Sequence, residues 1–203
     1  PGAVVGNLQK KVAEHGLFYP PDPSSKNFCT LGGNVACNAG GLRCVKYGVT
    51  RDYVLSLSGY LPTGEFVRWG RDTRKFATGY NLRDLWIGSE GTLGVVTEIT
   101  VRLILAVPNR ITFLGAFSDD QAALNAPLAL GKLGIRPSII EYMDQWTIDC
   151  LQKYVGEEVF TGVEPKPMVL IELDGSKESL TQDAILVEQW LKSDSLNYKR
   201  ADD

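Results

Sequence analysis

The residues with the clearest chemical potential lie in the stretch CTLGGNVACNAGGLRCVKY, residues 29–47. Glycine pairs at 32–33 and 40–41 enclose a short segment of small and polar residues that contains Asn34 and Asn38. Because glycine has no Cβ and reaches positive φ, backbone N–H groups there can close on a large flat or negatively charged ligand. The asparagines can turn the chain and offer amide groups. The spacing matches neither GxxxxGK[ST] nor GxGxxG, so a ligand site and a tight structural turn are both open.

No constellation of catalytic side chains is evident elsewhere. The only histidine is His15, and no serine lies in a GxSxG sequence, so a histidine triad is not supported. The four cysteines lack CxxC spacing and do not form a zinc pattern with one histidine. Carboxylates such as Glu90 and Glu141 are scattered. The sequence therefore favours a backbone-lined cofactor site, and we assign no catalytic residue and no metal ligand within this chain.

Composition narrows the class of protein. The chain has 203 residues, 44% of them hydrophobic, a formal net charge of -3 and a pI near 5.3. An acidic chain without clustered Lys and Arg argues against a nucleic-acid partner. No apolar run approaches the roughly 20 residues of a transmembrane helix. We expect a cytoplasmic location, with peripheral association with the inner membrane as the alternative.

The elements that would position the glycine-rich stretch follow from periodicity. Apolar residues at helical spacing over 5–12 predict a helix that ends at Gly16. Three prolines within 17–25 exclude a helix and predict a rigid loop. Residues 53–60 and 65–69 flank the sequence LPTG and predict a β-hairpin.

Further along, NLRDLW predicts a short helix capped by Asn81 that stops near Gly88. Alternation over 95–105 predicts one continuous strand. Its apolar face is predicted to carry Ile99, Val101, Leu103 and Leu105.

The sequence AVPN at 106–109 follows the end of the alternating pattern, and we place a domain boundary there. The remainder is predicted to alternate strands and helices over 111–117, 119–133, 138–143, 145–154, 168–174 and 177–192. Pro127 is expected to kink or split the first of these helices, and Asp144 and Ser176 are expected to cap the next two. The alternation suggests an α+β or α/β layer with helices covering a sheet.

Several longer motifs point to one family. GLFYPPDPSS at 16–25, CTLGGNVACNAGG at 29–41, LPTGE at 61–65 and GYNLRDLWIGSEGTLGVVTEIT at 79–100 occur in an order that resembles the FAD-linked oxidases. These are flavoproteins of the vanillyl-alcohol oxidase / p-cresol methylhydroxylase (PCMH) type. The resemblance is strongest to the D-2-hydroxyacid dehydrogenases, which include D-lactate dehydrogenase, the glycolate oxidase flavin subunit and D-2-hydroxyglutarate dehydrogenase.

The resemblance implies an α+β fold. Residues 1–107 would be the C-terminal part, the second subdomain, of a PCMH-type FAD-binding domain. Residues 108–203 would begin the C-terminal cap or substrate domain, with an antiparallel sheet. The family carries another glycine-rich FAD loop before the position of Pro1, and its substrate-binding basic residues and histidines after that of Asp203. The chain thus resembles an internal segment, and we expect residues 1–203 alone neither to bind FAD tightly nor to turn over substrate.

The resemblance also implies a set of cofactor-binding residues. The proline-rich loop would line the cofactor with Pro20, Pro21, Asp22, Pro23 and Ser24. The pyrophosphate and flavin would be approached by Thr30, Gly32, Gly33, Asn34, Asn38, Gly40 and Gly41. Tyr47 and Gly48 would close that wall. The adenosine end would be held, largely through backbone groups, by Glu90, Gly91, Gly94, Val95 and Val96.

The implied activity is oxidation of a D-2-hydroxy acid, of the lactate, glycolate or 2-hydroxyglutarate class, to the 2-oxo acid by hydride transfer to flavin N5. Electrons would pass to a quinone, a cytochrome, an electron-transfer flavoprotein or an iron–sulphur subunit, and a homodimer is compatible with the resemblance. FAD would be non-covalent, since the motif position of His15 does not suit an anchor. Two alternatives are open: a non-catalytic FAD or electron-transfer subunit, and a non-redox relative such as an alkylglycerone-phosphate synthase.

Overall fold

A computed structural model describes residues 1–75, 77–156, 160 and 162–202. The chain divides into two compact units, Pro1–Ala106 and Val107–Asp203, called unit 1 and unit 2. Together they form a mixed helix and sheet structure, as the predicted α+β class requires. The assignment of residues 1–107 to an FAD-binding domain and of 108–203 to a cap domain stays a prediction.

Unit 1 contains four α-helices and five strands among the described residues. They are α1 (Val5–Ala13), β1 (Leu17–Phe18), α2 (Leu31–Cys37), α3 (Cys44–Tyr47), β2 (Val54–Tyr60), β3 (Phe66–Gly70), α4 (Arg83–Trp86), β4 (Val95–Val101) and β5 (Ile104–Leu105). A 3-10 turn spans Thr50–Asp52. The predicted first helix, the hairpin of β2 and β3 and the short helix α4 are confirmed, each with ends shifted by a few residues.

The main sheet of unit 1 has the order β3-β2-β4, and all its pairs are antiparallel. One of its cores packs Val35 of α2 and Trp86 of α4 against Val54 and Leu57 of β2. The other packs Val5 and Val12 of α1 with residues from the first loop and from β4. Helix α2 and helix α4, which precedes β4 in the chain, therefore pack against the same strand, β2.

The prediction of one continuous strand over 95–105 is wrong. The strand breaks after Val101, because the N–H of Arg102 donates to the carbonyl of Tyr53 at 2.6 Å. The chain then pairs with β1 as the separate strand β5. The alternation of buried and exposed residues also changes at this break. Leu105, which was predicted on the apolar face, is 78% exposed, while Ile104 packs against the core.

Unit 2 contains β6 (Asn109–Ala116), α5 (Asp120–Leu124), α6 (Ala126–Lys132), β7 (Ile139–Met143), α7 (Gln145–Val155), β8 (Met168–Gly175), α8 (Lys177–Asp194) and β9 (Asn197–Asp202). Its sheet has the order β7-β8-β6-β9 and is antiparallel throughout. The apolar stripe of α8 is buried against this sheet together with Phe113 and Ile171.

Local sequence signals explain most of unit 2. Pro127 lies in the first turn of α6, directly after the break that separates it from α5, so the predicted split is confirmed. The side chains of Asp144 and Ser176 accept hydrogen bonds from backbone N–H groups of α7 and α8, so both predicted caps are confirmed. Sequence reasoning missed β9, because an edge strand of mostly polar residues lacks the apolar alternation of a half-buried strand.

Within the described ranges, no helix combines the length and the apolarity needed to cross a bilayer. All four cysteines are free thiols, and Cys37 is exposed. Over those same ranges, no three His, Cys, Asp or Glu side chains gather as a metal site would require.

Acid destabilises unit 2 through its helix caps. Hydrogen bonds from Thr147 hold the pKa of the Asp144 carboxyl below its ordinary value of 3.8. The folded state therefore binds fewer protons than the unfolded state. The cap's full contribution is present above the ordinary pKa and is lost as the pH falls through the lowered one. We expect Asp144→Asn, which keeps a good capping residue, to weaken the loss of stability as the pH falls below about 5.

Urea unfolding at several pH values measures this difference. Ser176→Ala is the control, since it removes an uncharged cap and should lower stability by about 1 kcal/mol at every pH. An Asp144→Asn variant with an unchanged pH dependence would contradict the assignment.

Candidate cofactor-binding cavity

The first part of the glycine-rich stretch folds into helix α2. Thr30 is extended at the N-cap, and its Oγ1 accepts a hydrogen bond from the N–H of Gly33 at 3.2 Å. The helix ends at Asn38, which adopts the left-handed conformation that asparagine tolerates. The stretch is therefore a capped helix rather than only a turn, with one glycine pair in its first turn.

A cavity of about 460 Å³ in unit 1 opens next to α2. Its lining consists of Pro1, Gly2, Thr30, Gly32, Gly33, Ala36, Trp86, Ser89, Gly91, Gly94, Val95 and Val96. No carboxylate, histidine, lysine or arginine occurs in this lining. The lining thus offers apolar surface and hydroxyl groups rather than side chains for acid–base chemistry.

Seven of the nineteen predicted cofactor residues line this cavity. They are Thr30, Gly32, Gly33, Gly91, Gly94, Val95 and Val96. Two backbone hydrogen bonds bring the two segments together: the N–H of Gly88 donates to Val35 and the N–H of Glu90 donates to Ala36, both at 2.9 Å. Glu90 itself is exposed, with a positive φ of 53°, and does not line the cavity.

The glycines of the lining differ in what surrounds them. A Cβ on Gly33 would meet only Thr30 Oγ1, at 3.5 Å, and a Cβ on Gly91 would meet no heavy atom within 4 Å. A Cβ on Gly94 would lie 2.3 Å from the carbonyl oxygen of Tyr60. Protein packing thus requires Gly94, whereas Gly33 and Gly91 leave open space that a ligand can approach.

Backbone donors at the start of α2 are bonded within the protein. The N–H of Gly32 donates to the carbonyl of Pro1 at 2.8 Å, and that of Leu31 donates to Ala3 at 2.8 Å. With Gly33 bonded to Thr30, these three groups already have partners. An incoming group would therefore meet the Cα surface of the glycines and the hydroxyl groups of Thr30 and Ser89 before it meets unbonded N–H groups.

The predicted proline-rich loop, residues 20–24, lies outside the lining. Pro20, Pro21 and Asp22 are buried, and Gln9 Nε2 donates to the carbonyl of Pro21 at 3.0 Å. Pro23 is half-buried and Ser24 is exposed.

Asp22 pairs with Arg43, a residue that sequence reasoning missed. Arg43 Nη1 lies 2.6 Å from Asp22 Oδ2, and both side chains are largely buried. A Cβ on Gly41 would lie 2.3 Å from Asp22 Oδ1. The second glycine pair is thus packed against the proline-rich loop, and a single basic residue after two glycines gave no signal of this contact.

The other predicted residues also contact protein atoms. A Cβ on Gly40 would meet Cys44 Sγ at 2.7 Å, and one on Gly48 would meet the Asp52 carboxylate. The carbonyl of Tyr47 accepts a hydrogen bond from the Tyr53 hydroxyl at 2.8 Å. These contacts pack the segment that follows α2 against other protein atoms. The predicted role of Gly40, Gly48 and Tyr47 at the cofactor stays a prediction.

The two predicted asparagines have different surroundings. Asn38 Oδ1 accepts from the N–H of Arg51 at 2.9 Å, which ties the end of α2 to the following turn. Asn34 is 2% exposed, and its Nδ2 has no hydrogen-bond partner among the described residues. Asn34 is not among the residues that line the cavity, so its predicted role at the cofactor stays a prediction.

Tyr19, beside the proline-rich loop, is not a candidate acid or base. Burial raises the pKa of its phenol to about 12. Its side chain is fully buried in the core of unit 1 against Tyr53. The phenol therefore stays protonated and serves packing.

Comparison with known proteins shows which families and proteins this chain is similar to. Residues 1–70 match the FAD binding domain family. The D-lactate dehydrogenase of Anaerostipes hadrus is 38% identical over 188 residues, which cover 91% of this chain and 39% of that protein. Over these residues the chain resembles the FAD-linked oxidases.

A second relative is the glycolate oxidase subunit GlcD of Bacillus subtilis. It is 39% identical over 188 residues, covering 93% of this chain and 40% of that protein. Among solved structures, an alkyldihydroxyacetonephosphate synthase aligns with a TM-score of 0.73 at 23% identity, over 97% of this chain and 37% of that one. That likeness shows the shared fold. The chain spans about two fifths of the length of its curated relatives.

FAD is the cofactor that these comparisons support. The residues present fit it: the cavity is glycine-lined, and Gly33 and Gly91 leave open space at its wall. The sequence analysis missed Pro1, Gly2, Ala36, Trp86 and Ser89 in the lining. Trp86 and Ser89 lie within the motif GYNLRDLWIGSEGTLG, so that motif was the available signal.

The surroundings of the two glycine pairs predict opposite effects of alanine. Gly41→Ala should destabilise the chain by roughly 1 to 3 kcal/mol, because the new Cβ overlaps Asp22. Gly33→Ala should be neutral or stabilising by up to about 1 kcal/mol, because alanine favours a helix and meets no close atom. Urea unfolding of both variants measures the difference, and equal destabilisation would argue against this division.

Proposed function

We propose that the complete protein is an FAD-dependent dehydrogenase that oxidises a D-2-hydroxy acid to the 2-oxo acid. The observation that carries the proposal is the glycine-lined cavity, which is lined in part by residues of the segment that matches the FAD binding domain family. The substrate class comes from the relatives, one named a D-lactate dehydrogenase and one a glycolate oxidase subunit.

In this proposal the residues of this chain bind and orient the cofactor. Gly33 and Gly91 let a ligand reach the backbone, while Val95, Val96 and Trp86 supply apolar surface that excludes water. The buried pair of Asp22 and Arg43 fixes the loop behind α2. When bound, FAD supplies a flavin N5 that accepts the hydride from the carbinol carbon of the substrate.

The base that accepts the proton of the substrate hydroxyl must come from residues outside the lining of this cavity. Since no ionisable side chain lines the cavity, we assign the base and the basic substrate clamp to residues outside this chain, as the family resemblance implies. Residues 1–203 alone are then expected neither to hold FAD tightly nor to turn over substrate. Electrons would leave for a quinone, a cytochrome, an electron-transfer flavoprotein or an iron–sulphur subunit.

A second candidate is a non-catalytic FAD subunit of a larger complex. The observation that favours it is the lack of an ionisable group in the cavity, together with a relative that is named as a subunit. Histidines and a basic clamp in the rest of the protein would favour the dehydrogenase, and their absence would favour the subunit.

Substrate oxidation by the complete protein tests the proposal directly. We expect reduction of an artificial dye acceptor with D-lactate, glycolate or D-2-hydroxyglutarate, and at least tenfold less with the L-enantiomers of the chiral acids, about 1.4 kcal/mol in transition-state binding. A protein that binds FAD but reduces no acceptor with any of them would favour the subunit.

The position of the cofactor is tested by filling the open space. Gly33→Val should weaken FAD binding to the complete protein about tenfold or more, because the added methyl groups occupy volume next to Thr30. Gly131→Val is the matched control, a glycine within α6 whose Cβ would meet no atom within 4 Å. Quenching of flavin fluorescence gives both affinities, and equal values for the two variants would place FAD elsewhere.

A further inference from the structure

A second cavity in unit 1 is lined mainly by charged side chains. Its volume is about 330 Å³, and it shares no lining residue with the glycine-lined cavity. The charged members of its lining are Arg51, Asp52, Arg74, Arg83, Asp84 and Arg102. Four arginines against two aspartates leave an excess of two positive charges in one small space.

Both aspartates are already engaged. Asp52 Oδ2 accepts a hydrogen bond from the N–H of Val49 at 2.8 Å. Asp84 Oδ1 lies 2.7 Å from the Arg83 guanidinium, and its Oδ2 accepts from Asn81 Nδ2 at 2.7 Å. Asp84 therefore pairs with Arg83, Asp52 is bonded to a backbone N–H, and the other three arginines of the lining have no ion pair to any described residue.

Two of these arginines are held in place but incompletely bonded. Arg51 Nη2 donates to the carbonyl of Ile87 at 2.7 Å, and Arg102 Nη2 donates to that of Asp52 at 3.2 Å. The Arg102 guanidinium also lies over the Tyr53 ring, 4.9 Å from its centroid. A guanidinium has five N–H donors, and the buried Nε of each residue has no partner among those described. Donors thus remain for a ligand.

Arg74 completes the lining from the segment between β3 and α4. It is exposed, and within the part of the chain that the structure describes it makes no hydrogen bond or ion pair. Its long side chain can therefore turn toward a bound anion without breaking a contact of the fold.

We propose that this cavity binds a phosphate-type dianion, either inorganic phosphate or the phosphate group of a small ester. Planar guanidinium groups match the oxygens of phosphate in bidentate hydrogen bonds, and the excess charge of the lining matches a dianion. The site is separate from the cavity assigned to FAD, because the two linings have no residue in common.

Calorimetric titration of the complete protein with inorganic phosphate, at constant ionic strength and above the second pKa of phosphate, tests the site. Arg74→Gln should weaken binding about five- to tenfold, because one charge-assisted contact is lost. Arg71→Gln is the matched control, since it makes the same change three residues away at a side chain outside the lining. Arg51→Lys, which keeps the charge but not the bidentate fork, should also weaken binding.

Phosphate binding that is absent, or that is equal in the wild type and Arg74→Gln, would overturn the proposal. A second titration in the complete protein saturated with FAD separates the two sources of phosphate. An unchanged phosphate affinity supports a separate site, while competition by FAD would assign the arginines to the cofactor and overturn it. A glycerol phosphate titration then distinguishes an ester from the free ion, and tighter binding of either supports the site.

Discussion

Two backbone hydrogen bonds hold the candidate site of unit 1 together. They run from the N–H groups of Gly88 and Glu90 to the carbonyls of Val35 and Ala36 near the end of α2. The last carbonyls of a helix have no partner within it, so a turn that supplies donors satisfies a requirement of the helix and is itself positioned. Because this turn leads into β4, the glycine-lined cavity forms between the helix and the start of that strand.

The glycines of this chain serve two different needs. Gly41 and Gly94 allow protein atoms to approach closely, since a Cβ on either would overlap backbone. Gly91 has a positive φ of 77°, which favours glycine whatever the space around it, whereas Gly33 has no such φ and faces open space, so nothing in the protein requires the missing Cβ at Gly33. A glycine without a protein reason for its presence, at the wall of a cavity, is the signature of close approach by a ligand.

The two cavities of unit 1 separate binding of an apolar surface from binding of charge. The glycine-lined cavity contains no ionisable side chain, while the arginine-lined cavity contains an excess of two positive charges. The similarity to FAD-linked oxidases accounts for the first. The second depends in part on Arg51 and Arg102, whose guanidinium groups each donate a hydrogen bond to a backbone carbonyl and have a buried Nε without a partner among the described residues.

Local sequence patterns determined most elements of this protein, since the first helix, the hairpin, the break at Pro127 and the caps at Asp144 and Ser176 depend on neighbours in the chain. Motifs of considerable length determined the family. The break after Val101, the edge strand β9 and the pair of Asp22 with Arg43 depend on partners distant in sequence, which local periodicity does not report. Tertiary structure alone decided which glycines face open space and which arginines share a cavity, because these properties arise only when separate segments pack together.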